Sequence, residues 1–314
     1  MIVLAIDLGG TKLSCAVFTG EGTILHKETT ALNNSTGKEV GQLITSSIKK
    51  LLSAQKDEGN IINSIGIAVP GISHKKSGTV WAPNISGWEN YPLLQEVKEI
   101  SNEIPVSIDS DRACYILGES WKGNAKGCSD AIYLAVGTGI GAGILVNGSV
   151  LHGAYDIAGA IGWMALDRPF EDKYISCGCF EYHASGEGLT KVAREIIQSN
   201  NRASELSKLV AITAHDIFSA YEKNDAVAIA VIKQAIEFWG MAIANLVSLF
   251  NPEKIILGGG VFGPAIKFIS GIREEASKWA QPVSMQQVSI EASALGSDAG
   301  LYGAALVALQ NLNS

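Results

Sequence analysis

Asp7, Gly9, Gly10, Thr11 and Lys12 place an acid, two glycines, a hydroxyl and an ammonium within one short polar turn. Apolar residues run up to Asp7 and resume after Lys12, which predicts two strands joined as a hairpin. Without Cβ atoms, Gly9 and Gly10 let backbone N–H groups approach an anion closely. Thr11 adds a donor, Lys12 adds charge, and a carboxylate at the strand end can hold a divalent cation through water. The set suits the phosphates of a nucleotide with Mg²⁺. An ordinary hairpin whose Asp7 only caps the turn gives the same local pattern. The pattern returns at mid-chain. Residues 132–148 slide without a gap onto residues 4–20, with Gly137 on Gly9 and Gly148 on Gly20. Gly137, Thr138 and Gly139 then form a second anion-binding turn, and the duplication predicts two related α/β domains facing each other across a cleft.

A second acidic group stands at 109–111, Asp-Ser-Asp, at the end of a short apolar run. Residues 112–121 read as a helix stopped near Gly123, so Asp111 sits at a helix N-terminus, where a carboxylate is favoured. Helical spacing covers residues 38–55, and strands are expected at 23–30, 63–69, 105–108 and 254–257. Pro70-Gly71 stops the second of these, and residues 81–92 form an aromatic-rich loop of the kind that carries binding groups. Gly258, Gly259 and Gly260 follow the last strand, and a further cluster, residues 295–300, precedes the final helix.

At 314 residues the chain is long enough for two domains. A net charge of −7 argues against a nucleic-acid surface. The N-terminal apolar run has no basic segment before it and is broken by Asp7, unlike a secretory signal. Residues 226–250 are strongly apolar but contain Lys233, Gln234, Glu237 and Asn245, which reads as a core helix and not a membrane span. Five cysteines, few and odd in number, fit a reducing cytoplasm. The expected location is therefore cytoplasmic, without nucleic-acid or membrane partners.

Taken together, these motifs resemble the ROK family, bacterial sugar kinases and related repressors on the actin-like ATPase fold, over nearly the whole chain. DLGGTK from Asp7 resembles its first phosphate motif and GTGIGAG from Gly137 its second. NPEKIILGGG resembles the adenosine-side motif, ALGSDAGLYGAA the C-terminal signature, APNISGW the sugar-side loop, and DRACYILGE the segment that opens with the catalytic aspartate. The resemblance implies an ATP- and Mg²⁺-dependent sugar kinase with Asp111 as general base and Asp7 holding Mg²⁺ through water. Gly9, Gly10, Thr11, Lys12, Gly137, Thr138 and Gly139 would cradle phosphates, and Gly259 and Gly260 would lie against adenosine. Acceptor-side candidates are Gly71, Asn84, Ser110, Asp156, Trp163 and Glu181. The implied architecture is a smaller domain of residues 1–110 plus 301–314 and a larger one of 111–300, closing on the sugar. A homodimer is implied by the family alone.

The departures from the family pattern matter as much. In GAYDIAGAIGW, Ala160 stands where a sugar-binding glutamate is expected and Trp163 where a histidine would touch sugar and ligate zinc. Ser110 replaces an asparagine. The three-cysteine zinc motif is reduced to SCGCFE, and Cys177 with Cys179 cannot supply four ligands, so no zinc is expected. Losing a carboxylate clasp while gaining an indole predicts an acceptor other than plain glucose: another hexose, a glycoside or a polyol. Trp163 as simple core filling is the competing expectation. The residues also bear on three other functions. A repressor of this family would carry DNA-reading helices ahead of the first hairpin, whereas this chain opens with that hairpin. Residues 258–263 fit the dinucleotide fingerprint G-x-G-x-x-G, with Glu274 and Glu275 downstream, but would leave both hairpins unexplained. A sensor that binds ATP and sugar without turnover is the serious alternative.

Overall fold

The computed structural model describes residues 1–33, 35–200 and 204–312. The chain runs through β1 (Ile2–Leu8), β2 (Lys12–Thr19), β3 (Ile24–Ala31), α1 (Gly37–Asp57), β4 (Ile62–Val69), β5 (Ile72–His74), β6 (Thr79–Trp81), α2 (Leu93–Ile100), β7 (Val106–Ser110) and α3 (Asp111–Lys122). It continues with β8 (Ala131–Val136), β9 (Ile140–Val146), β10 (Ser149–Val150), α4 (Cys179–Ala184), α5 (Gly186–Asn200), α6 (Ala214–Glu222) and α7 (Ala226–Phe250). Then come β11 (Lys254–Gly258), α8 (Ile269–Trp279), α9 (Pro282–Gln287), β12 (Ser289–Ala292) and α10 (Ala299–Asn311).

Two compact units result: Met1–Gly127 with Val150–Ala158 and Ala294–Ser314, and Cys128–Ser149 with Gly159–Ser293. The first is larger than the expected 1–110 plus 301–314. The physical reason is α3, which packs along α10 and so stays with the first sheet. Each unit is built on one five-stranded sheet, in the orders β3-β2-β1-β4-β7 and β10-β9-β8-β11-β12. The order is the same in both: an antiparallel hairpin whose first strand pairs parallel with a later strand, and that one with a third. The duplication is real at the level of topology, but the ungapped alignment of the hairpins is not. Leu8 pairs with Leu13 across the first turn, whereas Val136 pairs with Ile140 across the second. The second turn is one residue shorter, and the returning strands are offset by one residue.

In the first unit, alternation along β1 sends Leu4, Ile6 and Leu8 into a core with α1 and α2, and Val3 and Ala5 onto the face that α10 covers. Asp7 continues the latter row. Small residues dominate that face, and α10 comes so close that a Cβ on Gly66 would lie 1.9 Å from the Ala304 carbonyl oxygen. In the aromatic loop after β6 the rings pack inward, while Asn84 stays exposed. Trp88 is buried, stacks on Tyr91 with ring centroids 4.3 Å apart, and donates from Nε1 to the Gly37 carbonyl at 2.9 Å.

In the second unit, Ile132, Leu134 and Val136 of β8 join Ile255 and Leu257 of β11 in a core centred on α7. By length and composition α7 is apolar enough to cross a membrane, so its few polar residues do not decide the question. Its place in the fold does: Val227, Val231, Phe238, Trp239, Ile243 and Val247 are buried within this unit. The G-x-G-x-x-G string after β11 does not open an α-helix. Short 3₁₀ turns, Gly260–Phe262 and Pro264–Phe268, follow instead, which is not the strand–turn–helix a dinucleotide fingerprint requires.

Candidate active site

The parallel strands β1, β4 and β7 end together. Asp7 pairs with Ala68, and Ala68 with Asp109, so Asp7 and Asp109 lie in one row across the sheet. Ser110 and Asp111 follow at once. The carboxyl ends of parallel strands are where α/β folds bind ligands. The helix cap here is Ser110, not Asp111: Ser110 Oγ accepts from the Ala113 N–H at 3.3 Å. Ser110 is thereby occupied structurally, and Asp111 is released from a capping role as the first residue of α3. Asp111 Oδ1 accepts from the Arg112 N–H at 2.8 Å, which orients the carboxyl group. Burial pushes the Asp111 carboxyl above the usual carboxylate range, opposed by the Arg112 charge and that N–H. Arg112 in turn donates from Nη2 to the Gly71 carbonyl at 3.1 Å.

Asp7 is raised to about 7, first by burial and then by the negative charge of Asp111, with Lys12 opposing and Asp298 adding. Two carboxylates far apart in sequence thus feel each other within one unit. Asp7 Oδ1 is buried and, among the described residues, has no hydrogen-bond partner. Gly300 in α10 faces the same group: a Cβ there would lie 2.5 Å from Asp7 Oδ2. An unfolded Asp7 ionises above 3.8 and the folded one only above about 7, so folding takes up a proton between those values. This group's stabilisation is full below 3.8, declines as pH rises through the window and is gone above about 7. The expected result in metal-free buffer is a stability loss of roughly 3–5 kcal/mol across that window from this group, so that Asp7→Asn loses markedly less than wild type. Thermal unfolding of both proteins at pH 4 to 8 checks it; parallel curves would contradict it.

At the first turn, the Gly9 N–H donates to the Lys12 carbonyl at 2.9 Å, and Gly10, Thr11 and Lys12 are exposed. Neither packing nor a positive φ explains Gly10. A Cβ there would meet nothing within 4 Å, and the same holds for Gly137 in the second turn and for Gly260. Glycines without an internal reason leave room for something external, which fits phosphate groups brought against bare backbone. Gly259 is different. Its φ of 91° and a Cβ position 2.4 Å from the Val136 carbonyl oxygen make it a structural glycine. Of the residues expected at the acceptor, Gly71 has φ 80°, Asn84 is exposed, and Asp156, at φ 60°, accepts from the Lys75 N–H at 3.3 Å.

In the second unit, the Gly137 N–H donates to the Gly139 carbonyl at 2.9 Å, and the Gly137 carbonyl accepts from Gly186 at the start of α5 at 2.8 Å. Thr138 is exposed at the tip. Glu181, on α4, accepts from the Ile140 N–H at 2.6 Å through Oε2. It therefore braces the turn with one oxygen, and burial raises its carboxyl group above the usual range. Gly139 has to be glycine for that contact, since a Cβ would lie 2.7 Å from Glu181 Oε2. Trp163 is 58% exposed, so it does not fill a core. Its backbone and Gly162 cross the α4 entry, where a Cβ on Gly178 would lie 2.5 Å from Trp163 Cα and one on Gly162 3.0 Å from Glu181 Oε2. His183, near the cysteines, has both ring nitrogens engaged, Nε2 with Tyr174 Oη at 2.9 Å and Nδ1 with Gln234 Nε2 at 2.8 Å. Among the described residues no group of three or more His, Cys, Asp or Glu side chains is placed to hold a metal. A single carboxylate completed by waters and phosphates is the ordinary way to hold Mg²⁺, and the unpartnered Oδ1 of Asp7 fits it.

Two sheets of identical strand order, each carrying a glycine hairpin, define the fold as a pair of actin-like ATPase domains, as in its structural neighbours. The chain belongs to the ROK family, whose model matches residues 3–311. It is 33% identical to a glucokinase of Halalkalibacterium halodurans, covering 99% of this chain and 96% of that one. It is 32% identical to a xylose repressor of Caldicellulosiruptor bescii, covering 99% of this chain and 79% of the repressor. A crystal structure of a ROK family glucokinase from Streptomyces griseus, in complex with glucose and AMPPNP, matches with a TM-score of 0.81 at 28% identity, over 99% of this chain and 100% of that one. The relatives are thus sugar kinases together with a repressor.

Proposed function

We propose that this protein is an ATP-dependent kinase that transfers the γ-phosphate to a hydroxyl of a sugar or glycoside. The observation that carries the reading is the pairing of Asp7 and Asp111 at the strand ends of one sheet, one aspartate with an unpartnered oxygen and the other freed from capping by Ser110. Phosphoryl transfer asks a protein to position, to neutralise charge and to take one proton. Asp111 takes the acceptor hydroxyl's proton on its carboxylate, held by the Arg112 N–H. The bare backbone at Gly10, Gly137 and Gly260 receives the nucleotide, with Thr11 and Thr138 as hydroxyl donors and Lys12 as a charge. Asp7 holds Mg²⁺ through water; when bound, the ion neutralises phosphate charge.

Trp163 and Glu181 set the acceptor. An exposed indole at Trp163, with Ala160 where a polar clasp would be, favours a sugar that offers an apolar face or a second ring. Trp163→Ala is expected to raise acceptor KM roughly 3- to 10-fold with ATP KM unchanged. A coupled ADP-release assay over free hexoses, aryl and alkyl glycosides and polyols tests both statements. Turnover with one class, lost in Asp111→Asn, supports the kinase. ATP binding with no turnover on any acceptor supports a sensor, the reading that similarity to a repressor keeps in view.

A further inference from the structure

The most heavily partnered carboxylate beside the proposed base is Asp109, and neither phosphate binding nor proton transfer uses it. It is 6% exposed. Its Oδ1 and Oδ2 face His152 Nε2 at 3.1 and 2.9 Å, so that nitrogen carries a proton. Lys75 Nζ lies 3.4 Å from Oδ2, and the Ser110 N–H donates to Oδ1 at 2.8 Å. Burial alone would raise this carboxyl, but the His152 hydrogen bond and charge, with Lys75 and Ser110, hold it below the usual range. Its partners outside β7 come from two loops, not from the sheet.

One of those loops is Val150–Ala158. Both its sequence neighbours, Ser149 and Gly159, belong to the second unit, yet the loop packs with the first. It is closed on itself by the Ala158 N–H to the His152 carbonyl at 3.0 Å, and Gly153 and Asp156 turn it with φ of 73° and 60°. It is tied there by His152 on Asp109 and by Asp156 on the Lys75 N–H at 3.3 Å. Lys75 follows β5, which is itself tied to β7 by Ser73 Oγ donating to the Ile108 carbonyl at 3.2 Å. A buried ion is costly unless its partners are fixed, and here the fixing runs through acceptor-side segments.

We propose that Asp109 and His152 form a latch that holds the acceptor-side loop 150–158 in register with Asp111, making His152 a positioning residue for the sugar and not for the nucleotide. This rests on the kinase reading only for its kinetic consequence. The chain order explains why the latch is needed. Asp111 is fixed by β7 and α3, whereas Tyr155 and Asp156 lie on irregular chain beyond the end of β10.

The test compares wild type, His152→Ala and His152→Gln, whose amide N–H can still reach Asp109. Acceptor KM, ATP KM and kcat are read together with hydrogen–deuterium exchange of peptides covering residues 150–158. Losing a hydrogen bond to a charged group should raise acceptor KM in His152→Ala about tenfold, leave ATP KM within about twofold and speed exchange in that loop alone. His152→Gln should restore most of both. Unchanged loop exchange in His152→Ala overturns the latch. So does exchange that rises across the whole first unit with both KM values, which is the mark of general destabilisation. If wild type turns over no acceptor, the kinase reading falls, and the exchange measurement still decides the latch.

Discussion

Asp111→Asn is expected to lower kcat by about 10²–10⁴-fold while ATP binding persists. The amide matches the carboxyl group in size and can still accept from the Arg112 N–H, so α3 keeps its start. What disappears is the ability to take a proton from the acceptor hydroxyl. The substitution also removes a negative charge that pushes Asp7 upward, so Asp7 should ionise more readily and Mg²⁺·ATP should bind as well as before or better. Isothermal titration with Mg²⁺·ATP alongside the ADP-release assay separates the two effects. Loss of nucleotide binding in step with turnover would mean that Asp111 supports the site and does not perform the chemistry.

Gly303→Ala should destabilise the first unit. Its Cβ would lie 1.8 Å from the Cys114 carbonyl oxygen and 2.3 Å from the carbon, and backbone atoms cannot swing aside. The mirrored contact is as tight: a Cβ on Gly118 would lie 2.4 Å from the Ala299 carbonyl oxygen. α3 and α10 therefore cross at glycine distance on both sides. Overpacking such a contact costs about 1–3 kcal/mol, occasionally more. At about 2–4 °C per kcal/mol the melting temperature should fall by several degrees. Activity should fall with it, because α3 begins at Asp111 and α10 carries Gly300 against Asp7. An unchanged melting temperature would show that the helices separate freely.

Periodicity in the sequence was enough to place both hairpins, the strand before Asp111 and the long helix Ala226–Phe250, because these are local patterns. The repeated strand order followed from the repeated hairpin. The one-residue difference between the two turns did not, since glycine-rich strands align equally well in either register. Trp88 and Tyr91 looked like loop aromatics because nothing local tells a buried loop from an exposed one; the stack on each other and the bond to Gly37 are tertiary. Trp163 looked equally suited to core or surface and is exposed. His152 carried no signal at all, since its partner Asp109 is distant in the chain and a lone histidine in a glycine-rich loop has many uses. The bond from the Ile140 N–H to one oxygen of Glu181 is tertiary and has no local sequence signal. Gly300, in the C-terminal signature, meets Asp7 only through the packing of α10, which no local pattern shows.

The central claim is that phosphate moves from ATP to a sugar hydroxyl on this protein. Mass spectrometry of the acceptor pool after incubation with Mg²⁺·ATP tests it most directly, with Asp111→Asn alongside. A monophosphorylated acceptor formed by wild type and not by the variant is the predicted result. ATP bound at both proteins, with every hexose, glycoside and polyol recovered unphosphorylated, would contradict it.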